Sequence, residues 1–211
     1  MVTTKVMEQP RLTERLAQDA VYQWCFQRKH ELAVPNCGAV GWGETDLISV
    51  NKNRFAHAFE IKTSRADWLA ELRKIAQPGE SKHWRDKRMA NAGELERLLN
   101  ENDKRRAEHF EIQGKNEGEL GKYVRLDYET GIAMHRDAGP NYFWIVAPED
   151  VVDDHELPEY AGLMTIAWHP YAGRYQVQES TPAPRLHRRK LDDWHIMTLA
   201  RGLSLRFWGN R

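Results

Sequence analysis

The sequence carries no net charge. Its 31 Lys and Arg are balanced by 31 Asp and Glu, so bulk electrostatics argue neither for nor against a polyanionic partner, and only local clustering can speak. Cysteine is scarce. Cys25 and Cys37 are the two in 211 residues; neither belongs to a CxxC pair, which excludes a zinc ribbon or a disulfide-stapled scaffold and fits a reducing compartment. A zinc site assembled from Cys25, His30 and Cys37 matches no usual ligand spacing. Long apolar runs are missing too. Residues 1–9 hold no hydrophobic segment of the secretory kind, and no stretch approaches membrane-spanning length, so the expected protein is soluble and cytoplasmic, with no membrane partner. Internal repeats and low-complexity tracts are also absent. One domain over 1–211 is the expectation, long enough to bury a core of its own.

What is present falls into periodic segments. Pro10 followed by RLTERLAQDAVYQWCFQRKH predicts a first helix, with Leu12, Leu16, Ala20 and Trp24 recurring every four residues to face a sheet. Two strand-like runs follow, Thr45 to Val50 and Phe55 to Lys62, parted by the turn-forming NKN, which predicts a hairpin. Ser64 stands three residues before Asp67 in the arrangement of a capping box, and ADWLAELRKIA continues at helical period until Pro78-Gly79. From 79 to 140 the chain is polar and dense in both charges, with one helical pattern around AGELERLLNENDKRRAEHFEI; it reads as an insertion. NYFWIVAP is a near-continuous apolar run, typical of a strand buried on both faces. An acidic loop holding Glu149, Asp150, Asp153, Asp154, Glu156 and Glu159 comes next. AGLMTIAW and RYQVQES predict two more strands, and RRKLDDWHIMTLARGLSLRFW a closing helix. The fold class is α/β, with a mixed sheet flanked by helices. Most of the tryptophans, Trp68, Trp144, Trp168, Trp194 and Trp208 among them, are expected in the core; Trp84, in the insertion, is expected to be exposed.

The chemistry concentrates in HAFEIKTSRADW. An E-x-K triplet is common by itself, since about one is expected by chance in a chain of this length. Glu80-Ser81-Lys82 is such an accident, beside Pro78-Gly79 with no strand to hold it. Glu60-Ile61-Lys62 ends a strand, where alternation sends Glu60 and Lys62 to one side and Ile61 to the other. The preceding strand offers Glu44 and Asp46, also on a common face, so three carboxylates and a lysine converge. Hard divalent ions such as Mg²⁺, for which Mn²⁺ substitutes, take oxygen ligands in near-octahedral geometry. Asp46, Glu60 and the backbone carbonyl of Ile61, completed by water and substrate phosphate, make such a shell. Lys62 can position or deprotonate a water, or stabilise developing negative charge. Phosphodiester hydrolysis is the reaction such a site suits.

These residues carry a resemblance. Asp46, a short hairpin, Glu60-Ile61-Lys62 at a strand end and a helix opening immediately afterwards resemble the PD-(D/E)xK nuclease superfamily. Its restriction-endonuclease-like fold runs helix, three strands, helix, strand. The strings ETDLISV…FEIKTSRADWLAE, PNYFWIVAPEDV and LPEYAGLMTI are similar to small bacterial and phage members, including the MmcB-like DNA-repair family. The similarity covers 36–75 and 139–168; no proline precedes Asp46, as it does in the superfamily's label. The resemblance implies metal ligation by Asp46 and Glu60, catalytic assistance from Lys62 and an extra acid at Glu44, in a Mg²⁺-dependent hydrolase acting on DNA. Some relatives add an acid from the first helix, for which Glu14 and Asp19 are available.

Each reading has a plainer counterpart. Glu60 and Lys62 alone could form a solvated ion pair worth under about 1 kcal/mol. Arg65, Arg73 and Lys74 on the second helix, and Lys82-His83 after it, are candidate phosphate contacts or ordinary surface charges. His57 is expected as a packed or exposed strand histidine. The rival functions are a catalytically inactive DNA-binding or repair-accessory module of the same fold, and a protein-interaction scaffold using the acidic loop. An RNA substrate and a homodimeric assembly both stay compatible with the sequence.

Overall fold

A computed structural model of the chain describes residues 7–38, 40, 42, 44–76 and 139–209. The stretch read as an insertion at 79–140, with its helical pattern, Lys82, His83 and Trp84, lies outside the described residues apart from Gly139 and Pro140.

The first helix, α1, spans Glu14–Gln27. It starts later than Pro10 because Thr13 is its cap: the Thr13 hydroxyl accepts a hydrogen bond from the Leu16 amide at 3.3 Å, taking up one of the free donors of the first turn. Ala17, Ala20, Val21, Trp24 and Cys25 form its buried stripe. The chain leaves the helix through Lys29, at φ 59, and enters β1, His30–Cys37. Helical periodicity and the Pro-Asn pair concealed this strand in the sequence. Pro35 is tolerated because β1 is the edge of the sheet, where a missing amide donor breaks no inner ladder.

β2 (Thr45–Asn51) and β3 (Ala56–Ile61) form the expected hairpin, with Leu47 opposite Phe59 and Val50 opposite Ala56. Asn51 closes its turn: the side-chain carbonyl accepts from the amides of Asn53 at 3.0 Å and Phe55 at 3.1 Å, and Arg54 takes φ 63. The second helix, α2, is Arg65–Ala76. β4 (Tyr142–Ala147) pairs with β3 in parallel, and β5 (Ala161–His169) pairs with β4 in parallel. β6 (Arg174–Thr181) returns antiparallel through a turn in which Gly173, at φ 60, donates to the His169 carbonyl. A last helix, α3, covers Asp193–Gly209, so the preceding RRKLD segment, expected to belong to it, lies outside the helix. The result is one six-stranded mixed sheet in the order β1 to β6, flanked by helices. Among the described residues no helix is long and apolar enough to cross a membrane.

The sheet has a core on each face. Leu47, Phe59, Ile61, Trp144, Val146 and Met164 pack with α1. Ile48, Ala58, Phe143, Ile145 and Leu163 pack on the other face with Trp68 of α2 and Leu199 of α3. Cys25 belongs to the first core and Cys37 to the second, so a zinc site joining them with His30 is ruled out by the sheet between them. Trp68 and Trp144 are buried as expected, but Trp208 is 62% exposed and Trp194 38%. Both sit on α3, whose outer side carries apolar residues that periodicity alone assigned to a core.

Asn141 pins the start of β4. It is fully buried; its side-chain carbonyl accepts from the Ala56 amide at 2.8 Å, and its amide group donates to the carbonyls of His187 at 3.1 Å and Arg189 at 2.6 Å. Those bonds tie β3, β4 and the segment before α3 together.

Candidate active site

The end of β3 is fixed by backbone bonds before any side chain acts. The Lys62 amide donates to the Val146 carbonyl at 2.8 Å, continuing the parallel ladder one residue beyond β3. Two residues later Ser64 opens α2, its hydroxyl accepting from the Asp67 amide at 3.3 Å, while Asp67 accepts from the Thr63 hydroxyl at 2.9 Å. Half of the expected capping box is in place, the Ser64 hydroxyl on the Asp67 amide, and side-chain hydrogen bonds from Ser64 and then Thr63 hold the Asp67 carboxyl below the ordinary range. Strand and helix therefore meet at a short, rigid corner.

Glu60 and Lys62 lie on one side of β3, the side of α2, with Ile61 turned toward α1. The Lys62 ammonium donates to Glu60 Oε1 at 3.0 Å and to Glu71 Oε2 of α2 at 3.2 Å. All three side chains are buried, 10%, 9% and 3% exposed respectively. This is not the solvated ion pair of the plainer reading. Burial pulls the Lys62 ammonium down, but the two carboxylates outweigh it and raise it above the usual lysine range, so it stays charged.

Asp46 approaches from β2. Continuing the hairpin register from Leu47 and Phe59 sets it across from Glu60, a position in which side chains of neighbouring strands share a face. Its Oδ2 accepts from the Ile61 amide at 2.5 Å. Burial, and then the negative charge of Glu60, push the Asp46 carboxyl from 3.8 up to about 6, against the pull of the Ile61 amide. Two crowded carboxylates of which one is drawn toward protonation suit a cation between them.

The donor set fits a hard divalent ion. Asp46 and Glu60 supply carboxylate oxygens from adjacent strands. Ile61 contributes its amide to Asp46; its carbonyl is the further ligand that the sequence suggested. Asp46 and Glu60 do not close with a third acid into a cluster whose ligand atoms all lie within 4.8 Å; among the described residues Asp153, His155 and Glu156 make that group. Glu156 is already engaged there. Arg65 forks onto both of its oxygens at 2.5 and 2.6 Å, and the Trp68 indole donates to it at 2.8 Å. The Arg65 bonds, foremost, hold the Glu156 carboxyl down at about 2. This acidic group reads as the anchor of the β4–β5 crossover.

The remaining sequence candidates separate. Glu44 is exposed, one residue ahead of β2. Arg65, a candidate phosphate contact, grips Glu156, the Val151 carbonyl at 3.0 Å and Asp153 at 3.6 Å, with its side chain 41% exposed. Arg73 is exposed on α2, whereas the Lys74 side chain, Lys82 and His83 lie outside the described residues. Of the two first-helix acids, Glu14 is the one whose charge acts on Asp46. Asp19 instead lines a cleft of about 470 Å³ with Arg15, Tyr22 and Arg206.

Two residues at the site escaped the sequence. Glu71 looked like one more charge on a polar helix, and only its spacing of three from Trp68 hinted that it shares the buried side. Gln18 bridges three elements: its amide donates to Asn36 Oδ1 at 2.6 Å, to the Asp46 carbonyl at 3.0 Å and to Glu14 at 3.1 Å. No sequence signal distinguishes it from an ordinary helix glutamine.

No protein-family model matches the chain, and no curated protein does. Among solved structures it is similar to the SPO1766 protein of unknown function from Silicibacter pomeroyi, at 15% identity and a TM-score of 0.48, over 95% of this chain and 90% of that one.

Proposed function

We propose that the chain is a Mg²⁺-dependent nuclease that hydrolyses DNA phosphodiester bonds, with Asp46 and Glu60 as metal ligands and Lys62 as the catalytic cation. The observation that carries this reading is the buried Glu60–Lys62 pair at the end of β3, with the Asp46 carboxylate of the neighbouring strand bonded to the Ile61 amide between them. The order of helix, three antiparallel strands, helix and a parallel strand is also what the resemblance to the PD-(D/E)xK superfamily implies, and supports a restriction-endonuclease-like fold.

In this reading a bound divalent ion supplies Lewis-acid activation of the scissile phosphate and an acidic water. Asp46 and Glu60 orient their oxygens from two strands whose spacing the ladder fixes. Lys62, held charged, stabilises the negative charge that develops on the phosphate oxygens; a permanently protonated ammonium is a poor base, so electrostatic stabilisation is its role here. Glu44, exposed two residues before Asp46, is the extra acid that the resemblance implies. Arg73 and Lys74 of α2, with Lys82 and His83 following, are the proposed backbone contacts.

Purified protein should cut at least one DNA form, among duplex, single-stranded and branched substrates, in Mg²⁺ or Mn²⁺, and lose that activity to EDTA. Absence of turnover on all of them in both metals would overturn the reading. One observation favours the non-catalytic alternative: the Lys62 ammonium is bonded to both Glu60 and Glu71 in a buried ion-pair network. A DNA-binding accessory module of this kind would show salt-sensitive DNA retention and no turnover.

A further inference from the structure

We propose that Glu71 is a positioning residue of this site: it holds the Lys62 ammonium from α2 so that Glu60 can turn its carboxylate to a divalent ion. The inference rests on the nuclease reading above. Its basis is that Lys62 has two anionic holders on two independent elements. Glu60 belongs to β3 and is the metal ligand of the proposed site; Glu71 belongs to α2, across the corner capped by Ser64.

A buried lysine needs one carboxylate to stay charged, and Glu60 already touches it at 3.0 Å. Glu71, 3% exposed, reaches the same nitrogen to 3.2 Å from a different element, so its hold does not depend on where the Glu60 carboxylate points. Metal ligation is where that difference matters. As Glu60 rotates or shares its oxygens with a cation, the ammonium loses its hold on β3 and is repelled by the incoming positive charge. Glu71 keeps it in place. The nitrogen has three donors, so the Glu71 bond and a bond to a substrate phosphate are compatible. The rigid corner between β3 and α2 sets the reach of both partners, and Trp68, one turn before Glu71 and fully buried, locks the helix face that carries it.

The test measures Lys62 itself as well as turnover. Wild type, Glu71→Met and the isosteric Glu71→Gln are subjected to reductive methylation with and without saturating Mn²⁺, and labelling of Lys62 is followed by mass spectrometry. Thermal melts check folding, and cleavage of the best DNA substrate is measured on the same preparations. Without metal, Lys62 should be protected in all three. With Mn²⁺ it should stay protected in wild type and label at least tenfold faster in Glu71→Met, with kcat falling at least tenfold and KM for DNA within twofold. Glu71→Gln, which keeps an acceptor for the ammonium, should recover part of both. If wild type cuts DNA while Glu71→Met matches it in labelling and kcat, the positioning role is overturned and the nuclease reading stands. Equal loss of protection with and without Mn²⁺ would make Glu71 a structural partner only and also overturn it. If wild type cuts nothing and Mn²⁺ changes no labelling rate, the nuclease reading falls and the positioning role with it.

Discussion

The two ends of β3 solve the same problem in opposite ways. At the hairpin end His57 is buried, with the Trp144 indole donating to its Nδ1 at 3.1 Å. Burial, followed by neighbouring His30, lowers it from 6.5 to about 3, so the ring is neutral. His30, whose ring centroid is 4.8 Å away, is lowered by burial to about 4. Aromatic rings from α1 and β4 surround the pair. Three and five residues further along, Glu60 and Lys62 are as buried as His57 but keep charge by pairing. A sheet that discards charge at one end and concentrates it at the other is conserving something costly at the second. Replacing a buried ion pair with apolar residues is often neutral or stabilising, so stability alone gives little reason to retain it.

The sharpest way to break this comparison is to substitute one residue from each end. Lys62→Met should lower DNA cleavage at least about a hundredfold, whereas His57→Gln, which keeps an acceptor for Trp144, should leave it within about twofold. Equal losses would mean that the charged end has no special role. Methionine keeps the volume of the lysine stem that alanine would empty; either one leaves Glu60 and Glu71 buried without their cation, at a cost of about 3–5 kcal/mol, so a thermal melt must show the variant folded before its cleavage is compared.

Acid should expose the neutral end next. His57 and His30 have folded values below the ordinary 6.5, so unfolding takes up protons between that value and about 3. Their stabilisation is complete above pH 6.5 and declines as pH falls below it. Urea titrations across pH 7 to 4 should show this decline, and His57→Gln should flatten it by about one proton. An unchanged slope would contradict a buried neutral His57.

The charged end has the opposite sign. Asp46 is raised from 3.8 to about 6, so the folded chain holds its proton more tightly than the unfolded one. Its favourable contribution exists below pH 3.8 and is lost as pH rises through 6. Without divalent ions, Asp46→Asn should therefore raise the Tm by a few degrees above pH 6 and change it little at pH 4. A lowered Tm at pH 7.5 would show that the carboxylate is better paired than the crowding beside Glu60 implies. The smallest effect is expected at Arg73. Arg73→Ala should reduce the salt slope of DNA binding by about one and affect cleavage less than Lys62→Met.

How far the sequence exposed this arrangement differs between backbone and side chains. The hairpin, α2 and β4 were legible because turn residues, caps and apolar runs act locally. β1 was not, since its Pro35 and Asn36 are breakers by local rules and only an edge position accommodates them. The alternation of β3 places Glu60 and Lys62 together without knowledge of any partner strand. Glu71 and Gln18 were hidden because their roles depend on how α2 and α1 pack, which no periodicity encodes. The partner of Arg65 was hidden for a related reason: Glu156, held in its fork, lies 91 residues away in the chain.

The most direct measurement is anomalous scattering from crystals soaked in Mn²⁺ at pH 7.5, above the Asp46 transition. The account predicts a peak at the end of β3, within about 2.3 Å of a carboxylate oxygen of both Asp46 and Glu60. A peak at Asp153 and Glu156 alone, or none between β2 and β3, would contradict it.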